Sequence, residues 1–244
     1  MVLRDRLVNQ AASRYRASGR SAYYFARCKL RHDPFYSLLL VEGLVPAGAR
    51  IVDLGCAQGL LAAWLSAAQQ CYSMGVWDSA CPAPGSVASY RGIDRNKSEI
   101  RRARQALGNC AEFIVGDIAG EPLSEATLIV LLDVLHYLDY EAQLKLLRLI
   151  RAALPMDGLL LVRVGDFAGG IRARVSGCVD SLVLRLRGYG KGELHRRPLS
   201  EWLVLLDEVG FTVHGVTCQR SLGYANFLLR AVPKRLLTAN GNTQ

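Results

Sequence analysis

The chain has 244 residues, 51% hydrophobic and 21% charged, with a formal net charge of +9; that balance suits one globular domain with a small cap or insertion and excludes wholesale disorder. The longest apolar runs, "LIVLL" and "GLLLV", are far short of the ~20 residues a membrane-spanning helix needs, and the basic start "MVLRDRLVNQAASRYRASGR" has no apolar stretch of signal-peptide type, so a cytoplasmic protein is expected. The surplus of arginine favours an acidic partner (nucleic acid, anionic lipid or an acidic carrier protein) or reflects only a genome that prefers arginine codons.

Met1 to about Arg31 can be drawn as one or two basic helices ending before Pro34, and "FYSLLLVEGLVPAG" as a further helix closed by Pro46 and Gly48. Then strands and helices alternate. "ARIVDLGC" is strand-like, "GLLAAWLSAAQQC" helical, "YRGID" strand-like and "NKSEIRRARQALGN" helical. "AEFIVGDI" and "ATLIVLLDVLHYL" supply two more strands, "EAQLKLLRLIRAAL" an amphipathic helix ended by Pro155 and Gly158, and "GLLLVRVGD" a fifth strand. "MGVWDSACPAPGSVAS" lengthens the first crossover as a loop, and residues 167–198, basic with an apolar face, read as a substrate-side cap. A helix, "LSEWLVLLDEVGF", and two strands, "TVHGVTCQR" and "ANFLLRAV", follow, the strands close enough in sequence to pair antiparallel. The alternation predicts a doubly wound α/β fold whose apolar strands are covered on both faces. Residues 1–47 form a basic helical segment, 48–235 the main domain with the cap inside it, and 236–244 a frayed tail.

The 7 cysteines include no CxxC pair, and only 4 histidines accompany them, which excludes a structural zinc site. Each cysteine is expected to be a small, reduced, buried hydrophobe.

The first strand–turn–helix, "IVDLGCAQGLLAAWL", carries the chemistry. Counted from Gly55, the G-x-G-x-x-G dinucleotide frame meets Ala57 and Leu60 where it needs glycines, and a Gly-Lys-Ser/Thr phosphate loop is absent. Asp53 before the turn would repel a pyrophosphate. Gly55 and Gly59 let a ligand approach the backbone, and the Ala57 methyl fits if its φ stays negative.

With Asp53, Gly55, Cys56, Ala57 and Gly59 in this order, "VDLGCAQG" resembles motif I of class I S-adenosylmethionine-dependent methyltransferases, with Ala57 in place of the middle glycine. Downstream stretches are similar in register over residues 50–166: "RGID" with Asp94 and Arg95, "VGDI" with Asp117 and Ile118, and "LLDVLHYL" with Asp133. The resemblance implies a Rossmann-like, seven-stranded, mostly parallel sheet and S-adenosyl-L-methionine as cofactor. It places Asp53 near the cofactor's cationic end, Asp94 at the ribose hydroxyls, Asp117 near the adenine amino group with Ile118 stacking nearby, and Asp133 at the end of the fourth strand. Asp78 in "GVWD" is the rival of Asp94.

Methyl transfer from a sulfonium is an in-line displacement that depends mainly on alignment and exclusion of water, so no base is obligatory. The Asn/Asp-Pro-Pro-aromatic sequence of nucleic-acid amino-methylating enzymes and the Pro-Cys of cytosine C5 enzymes are both missing after the fourth strand. "DVLHYL" looks more like methyltransferases of small molecules, including lipids, quinones and polyketides. His136, Tyr137 and His195 are the candidate catalytic residues, His136 as a base or as a pocket wall. Asp166 ends the fifth strand, and Arg163 is a charge within it that is expected to point to a polar site or the sheet end. The cap, with Arg172, Arg174, Arg185, Arg187, Lys191, Arg196 and Arg197 among apolar residues, suits an apolar acceptor with an anionic group or one tethered to acyl carrier protein. The basic N-terminus is expected over the site or on a membrane surface. The overall pattern is similar to methyltransferases found beside bacterial aryl-polyene and related pigment or polyketide pathways. RNA methylation and a non-catalytic binding module are the alternatives.

Overall fold

The computed structural model describes residues 2–123, 125–165, 194–221 and 224–235. Asp166, Cys178, the cap up to residue 193 and the 236–244 tail lie outside the described residues. Three helices come first: α1 (Val2–Ser13), α2 (Arg20–His32) and α3 (Pro34–Val41). The α/β alternation follows as β1 (Ala49–Leu54), α4 (Leu60–Ser73), β2 (Val87–Asp94), α5 (Lys97–Leu107), β3 (Glu112–Val115), β4 (Leu128–Leu132), α6 (Tyr140–Ala153) and β5 (Leu159–Gly165). Helix α7 (Leu199–Glu208) and strands β6 (Phe211–Ser221) and β7 (Tyr224–Pro233) complete the order.

The strands form one seven-stranded sheet in the order β3-β2-β1-β4-β5-β7-β6. The first five are parallel and β7 runs antiparallel between β5 and β6. Alternate residues of each central strand feed opposite faces. Ile51, Leu128, Val130 and Leu161 pack with α4 and the N-terminal helices, whereas Val52, Leu54, Ile129, Leu131 and Val162 pack with α6 and α7. Burial on both faces explains why these strands read as unbroken apolar runs. The N-terminal helices are part of this core: Leu7, Tyr15, Leu30, Phe35 and Leu39 are buried in the same cluster as Ala63, Trp64 and Ala67 of α4.

Helix starts follow local capping chemistry. The side chains of Asp33, Asn96 and Asp139 accept backbone N–H groups at the heads of α3, α5 and α6. In α6 the buried positions Gln143, Leu146, Leu147 and Ile150 repeat at three and four residues, the stripe a core-facing helix requires. Two expected boundaries shift. Helix α3 stops at Val41 rather than at Pro46, because Gly43 takes φ 57° and the Leu44 N–H bonds back to the Leu39 carbonyl. Strand β2 begins at Val87, three residues before "YRGID", because Val87 and Ser89 pair with Ala49 and Arg50. The cysteine expectation also fails in part: Cys56 and Cys71 are buried, but Cys28, Cys110 and Cys218 are exposed. Cys28 lies on the open side of α2 and Cys110 in the turn before β3, where packing demands no apolar side chain.

Trp64 ties the helical layer together. It is buried, and its indole N–H donates to the Tyr36 carbonyl across to α3. Trp64→Ala is expected to lower unfolding free energy by about 3–5 kcal/mol, read as a drop in the urea midpoint with α3 losing protection first.

Candidate active site

Parallel winding runs outward from β1 to β2 and β3 on one side and to β4 and β5 on the other. The crevice at the carboxyl ends of β1 and β4 is the place where such a sheet binds ligands. Residues 55–59 turn across it. The N–H groups of Gly55 and Cys56 both donate to the Ile93 carbonyl, which fixes the turn to the end of β2. Gly55 (φ 78°) leaves no space for a side chain, since an added Cβ would lie 2.4 Å from a Val134 methyl. Gly59 (φ 75°) heads α4 with the Phe113 ring 2.8 Å from the place its Cβ would occupy.

Ala57 departs from expectation. It adopts φ 47°, in the left-handed region, rather than a negative φ. Its amide is held by Asp94, whose Oδ2 accepts the Ala57 N–H at 2.9 Å while its Oδ1 accepts the Asn96 N–H at 2.8 Å. The hydrogen bond fixes the peptide plane before Ala57, and the left-handed backbone accompanies it. Asp94 is thereby fastened to the 55–59 turn. Asp78 instead caps its own loop through the Ala80 N–H.

Asp53 is almost fully enclosed, at 4% exposure, and its carboxylate accepts the Tyr90 hydroxyl from the neighbouring strand. Burial pushes the Asp53 carboxyl up to about 7; the Tyr90 hydrogen bond opposes this and the nearby charge of Asp94 adds to it. Cys56 is buried with its thiol pushed up by burial and by these acids, which makes it a packing group rather than a nucleophile. Asp117 and Ile118 follow β3 in a turn, Asp117 exposed with its Oδ1 accepting the Ala119 N–H. Arg95 is exposed at the start of the next loop.

The three candidate catalytic residues come together. His136 and Tyr137 lie in a single 3-10 turn after β4, their rings 4.1 Å apart between centroids. The His195 N–H donates to the His136 carbonyl at 2.9 Å, although 59 residues separate them. Gln143, which sequence reasoning overlooked, makes this possible. Its buried amide donates to the carbonyls of Leu135, Leu138 and His195, and its Oε1 accepts from Arg197 at 2.8 Å. The Arg197 guanidinium lies 4.5 Å from the Tyr140 ring centroid.

Asp133 is engaged from the side. It stands at φ 58° directly after β4, with its carboxylate bound bidentately by the Arg163 Nε and Nη2. Arg163, 3% exposed, therefore does point to a polar site at the sheet end. The N-terminal helices cover the same end. Gln58, in the cofactor turn and 1% exposed, donates to the Ala22 carbonyl, and its own carbonyl accepts the Tyr15 hydroxyl at 2.8 Å.

A family model described as a methyltransferase domain matches residues 25–216. This span contains the entire parallel sheet, the turn at Gly55 and the His136–His195 contact, and the chain belongs to the methyltransferase domain family. Among solved structures, magnesium protoporphyrin IX methyltransferase from Synechocystis PCC 6803 with bound SAH is similar at a TM-score of 0.56 and 18% identity, over 82% of this chain and 80% of that one. The pyocyanin biosynthetic protein PhzM is similar at 0.58 and 19%, over 87% and 58%. A methyltransferase of calicheamicin biosynthesis, also in an SAH-bound form, is similar at 0.55 and 20%, over 87% and 57%. At such identities the likeness is one of fold. No curated protein matches the sequence.

Two tests follow from this geometry. Ala57→Gly removes the left-handed strain and is expected to stabilise the fold by about 1 kcal/mol, net of the extra freedom glycine has when unfolded; thermal denaturation reads it. The folded-state value of Asp53 lies above its unfolded one, so its stabilising contribution is complete at acidic pH and is lost as pH rises from about 4 to about 7. Asp53→Asn should therefore flatten the fall in unfolding free energy across that window, and an unchanged slope would show that Asp53 titrates as an ordinary carboxyl.

Proposed function

We propose that the protein transfers a methyl group from S-adenosyl-L-methionine to a small, largely apolar acceptor (aromatic, polyketide, quinone or lipid, free or tethered to an acyl carrier protein) by in-line displacement. The observation that carries this reading is the meeting of the His136–Tyr137 turn with His195 beside a glycine turn that packs closely on Val134 and Phe113 and whose neighbouring acids, Asp53 and Asp94, suit a cation.

The residues present fit the cofactor. Asp53 offers a carboxylate to a positively charged group, and a cation brought near it would favour its ionised form. Asp94 stands at the end of β2 beside the turn, its carboxylate accepting the Ala57 and Asn96 N–H groups, where the ribose hydroxyls are proposed to lie. Asp117 and Ile118 stand at the end of β3, where they would border the adenine. When bound, the cofactor supplies a methyl group activated on a sulfonium. The protein's own part is to hold the acceptor in line, keep water out and take the proton that a hydroxyl or amine acceptor releases. His136 is suited to that proton, with its backbone fixed by the Val134–Leu138 turn and by His195.

Tyr137 and Tyr140 are exposed at this mouth, and their rings suit a partly apolar acceptor. No helix among the described residues is long and apolar enough to cross a membrane; the basic N-terminal segment is the part proposed for contact with a membrane surface.

Calorimetry with S-adenosylmethionine tests the cofactor assignment. Asp94→Ala should weaken binding by at least about tenfold, since it removes a charged acceptor of hydrogen bonds; equal affinity would refute the ribose role. Transfer of labelled methyl to RNA, falling steeply with salt, in place of transfer to small or carrier-bound acceptors would overturn the acceptor class.

A further inference from the structure

We propose that Arg163 is a positioning residue of the methyl-transfer site: clamped between Asp33 and Asp133, it holds the 133–138 loop in its working shape and makes that shape depend on the docking of the N-terminal helices. The inference rests on the reading that this loop faces the acceptor.

Arg163 lies on β5, and its side chain is buried at the carboxyl end of the sheet. Its guanidinium is used on both sides. Nε bonds to Asp133 Oδ1 at 2.9 Å and Nη2 to Asp133 Oδ2, while Nη1 reaches Asp33 Oδ1 at 2.7 Å and Oδ2 at 2.9 Å. The Phe35 ring backs the group at 5.6 Å from its centroid. Lys29 Nζ, 2.8 Å from Asp33, brings a second positive charge to the two carboxylates. Burial alone would raise the Asp33 carboxyl, but Arg163 and Lys29 outweigh it and hold the group well below the usual carboxylate range. Both carboxylates are therefore charged when the clamp is closed.

The two ends of the clamp belong to different parts of the chain. Asp33 caps α3 by accepting the Phe35 N–H. Asp133 is the hinge between β4 and the 3-10 turn of His136 and Tyr137, and it stands in the left-handed region. That region is one that residues with a Cβ seldom adopt, aspartate more readily than most, and such a backbone persists where surroundings hold it. The bidentate pair with Arg163 is the enforcing contact. A lysine keeps the charge but cannot present two forks, so the arrangement is specific to arginine.

Hydrogen–deuterium exchange on the full chain, with and without S-adenosylhomocysteine, tests the proposal. In the native protein the ligand should slow exchange over 133–138. Asp33→Asn preserves the α3 cap, because asparagine caps as well as aspartate, yet removes the charge. It should speed exchange in the distant 133–138 loop and weaken S-adenosylhomocysteine binding by about fivefold, the scale of coupling through a shared network. Arg163→Lys should do the same despite its charge, and Lys29→Met, a milder change at the rim of the network, should move both readouts the same way by less. If Asp33→Asn loosens only residues 20–41 and leaves both the loop and the affinity as in the native chain, the clamp is a local buttress and the proposal fails. If the native loop is not protected by S-adenosylhomocysteine, the reading of the site fails and takes the role of Arg163 with it. Wild-type behaviour of Arg163→Lys in both readouts would likewise overturn it.

Discussion

The reversal of winding between β1 and β4 is the constraint on which the rest of this molecule depends. Adjacent strands whose crossovers leave in opposite directions must part at their carboxyl ends, and every group with chemical character gathers in the gap. The two walls approach so closely that Gly55 of one is in van der Waals contact range of Val134 of the other. A side chain at position 55 would push the loop of His136 away from the cofactor turn. The bareness of Gly55 thus sets the spacing between the 55–59 turn and the loop that follows β4.

Around this gap three separate fastenings operate. Asp94 holds the turn from below through the Ala57 N–H. Gln143 gathers the carbonyls of Leu135, Leu138 and His195 from the side of α6. Arg163 draws in Asp33 and Asp133 from beneath. All three satisfy polar groups that would be costly to leave unpaired in a dry interior, and each does so by joining segments far apart in sequence. Rigidity here comes from buried polar groups with several partners rather than from packing alone.

What could be read in advance follows that division. The alternation of strands and helices and the antiparallel closing pair rest on local signals: apolar runs, glycine and proline spacing, and short connections. The positive φ of Ala57 differs from the expected negative one, and the partner of its N–H is an acid 37 residues later, beyond any local signal. Arg163 was recognisable as a charge in an apolar strand, but its partner Asp33 lies 130 residues earlier and reads locally as nothing more than a helix cap. Gln143 carries no signal at all, since a glutamine within an amphipathic stripe looks like a solvent-facing residue. His136 and His195 could each be singled out, whereas their meeting depends on Gln143.

The placement of β7 has a consequence for how the chain comes into being. Strand β5, which carries Arg163, has β4 on one side and β7 on the other, yet β7 is the last strand in sequence among the described residues. During synthesis β5 therefore waits with an open hydrogen-bonding edge until residues 224–233 have emerged and the β6–β7 hairpin inserts backwards beside it. An exposed apolar edge of this kind invites pairing with other chains. The interval between making β5 and making β7 is the period in which a nascent copy is most exposed to aggregation, and slowing translation across that stretch would cost yield without altering the finished fold.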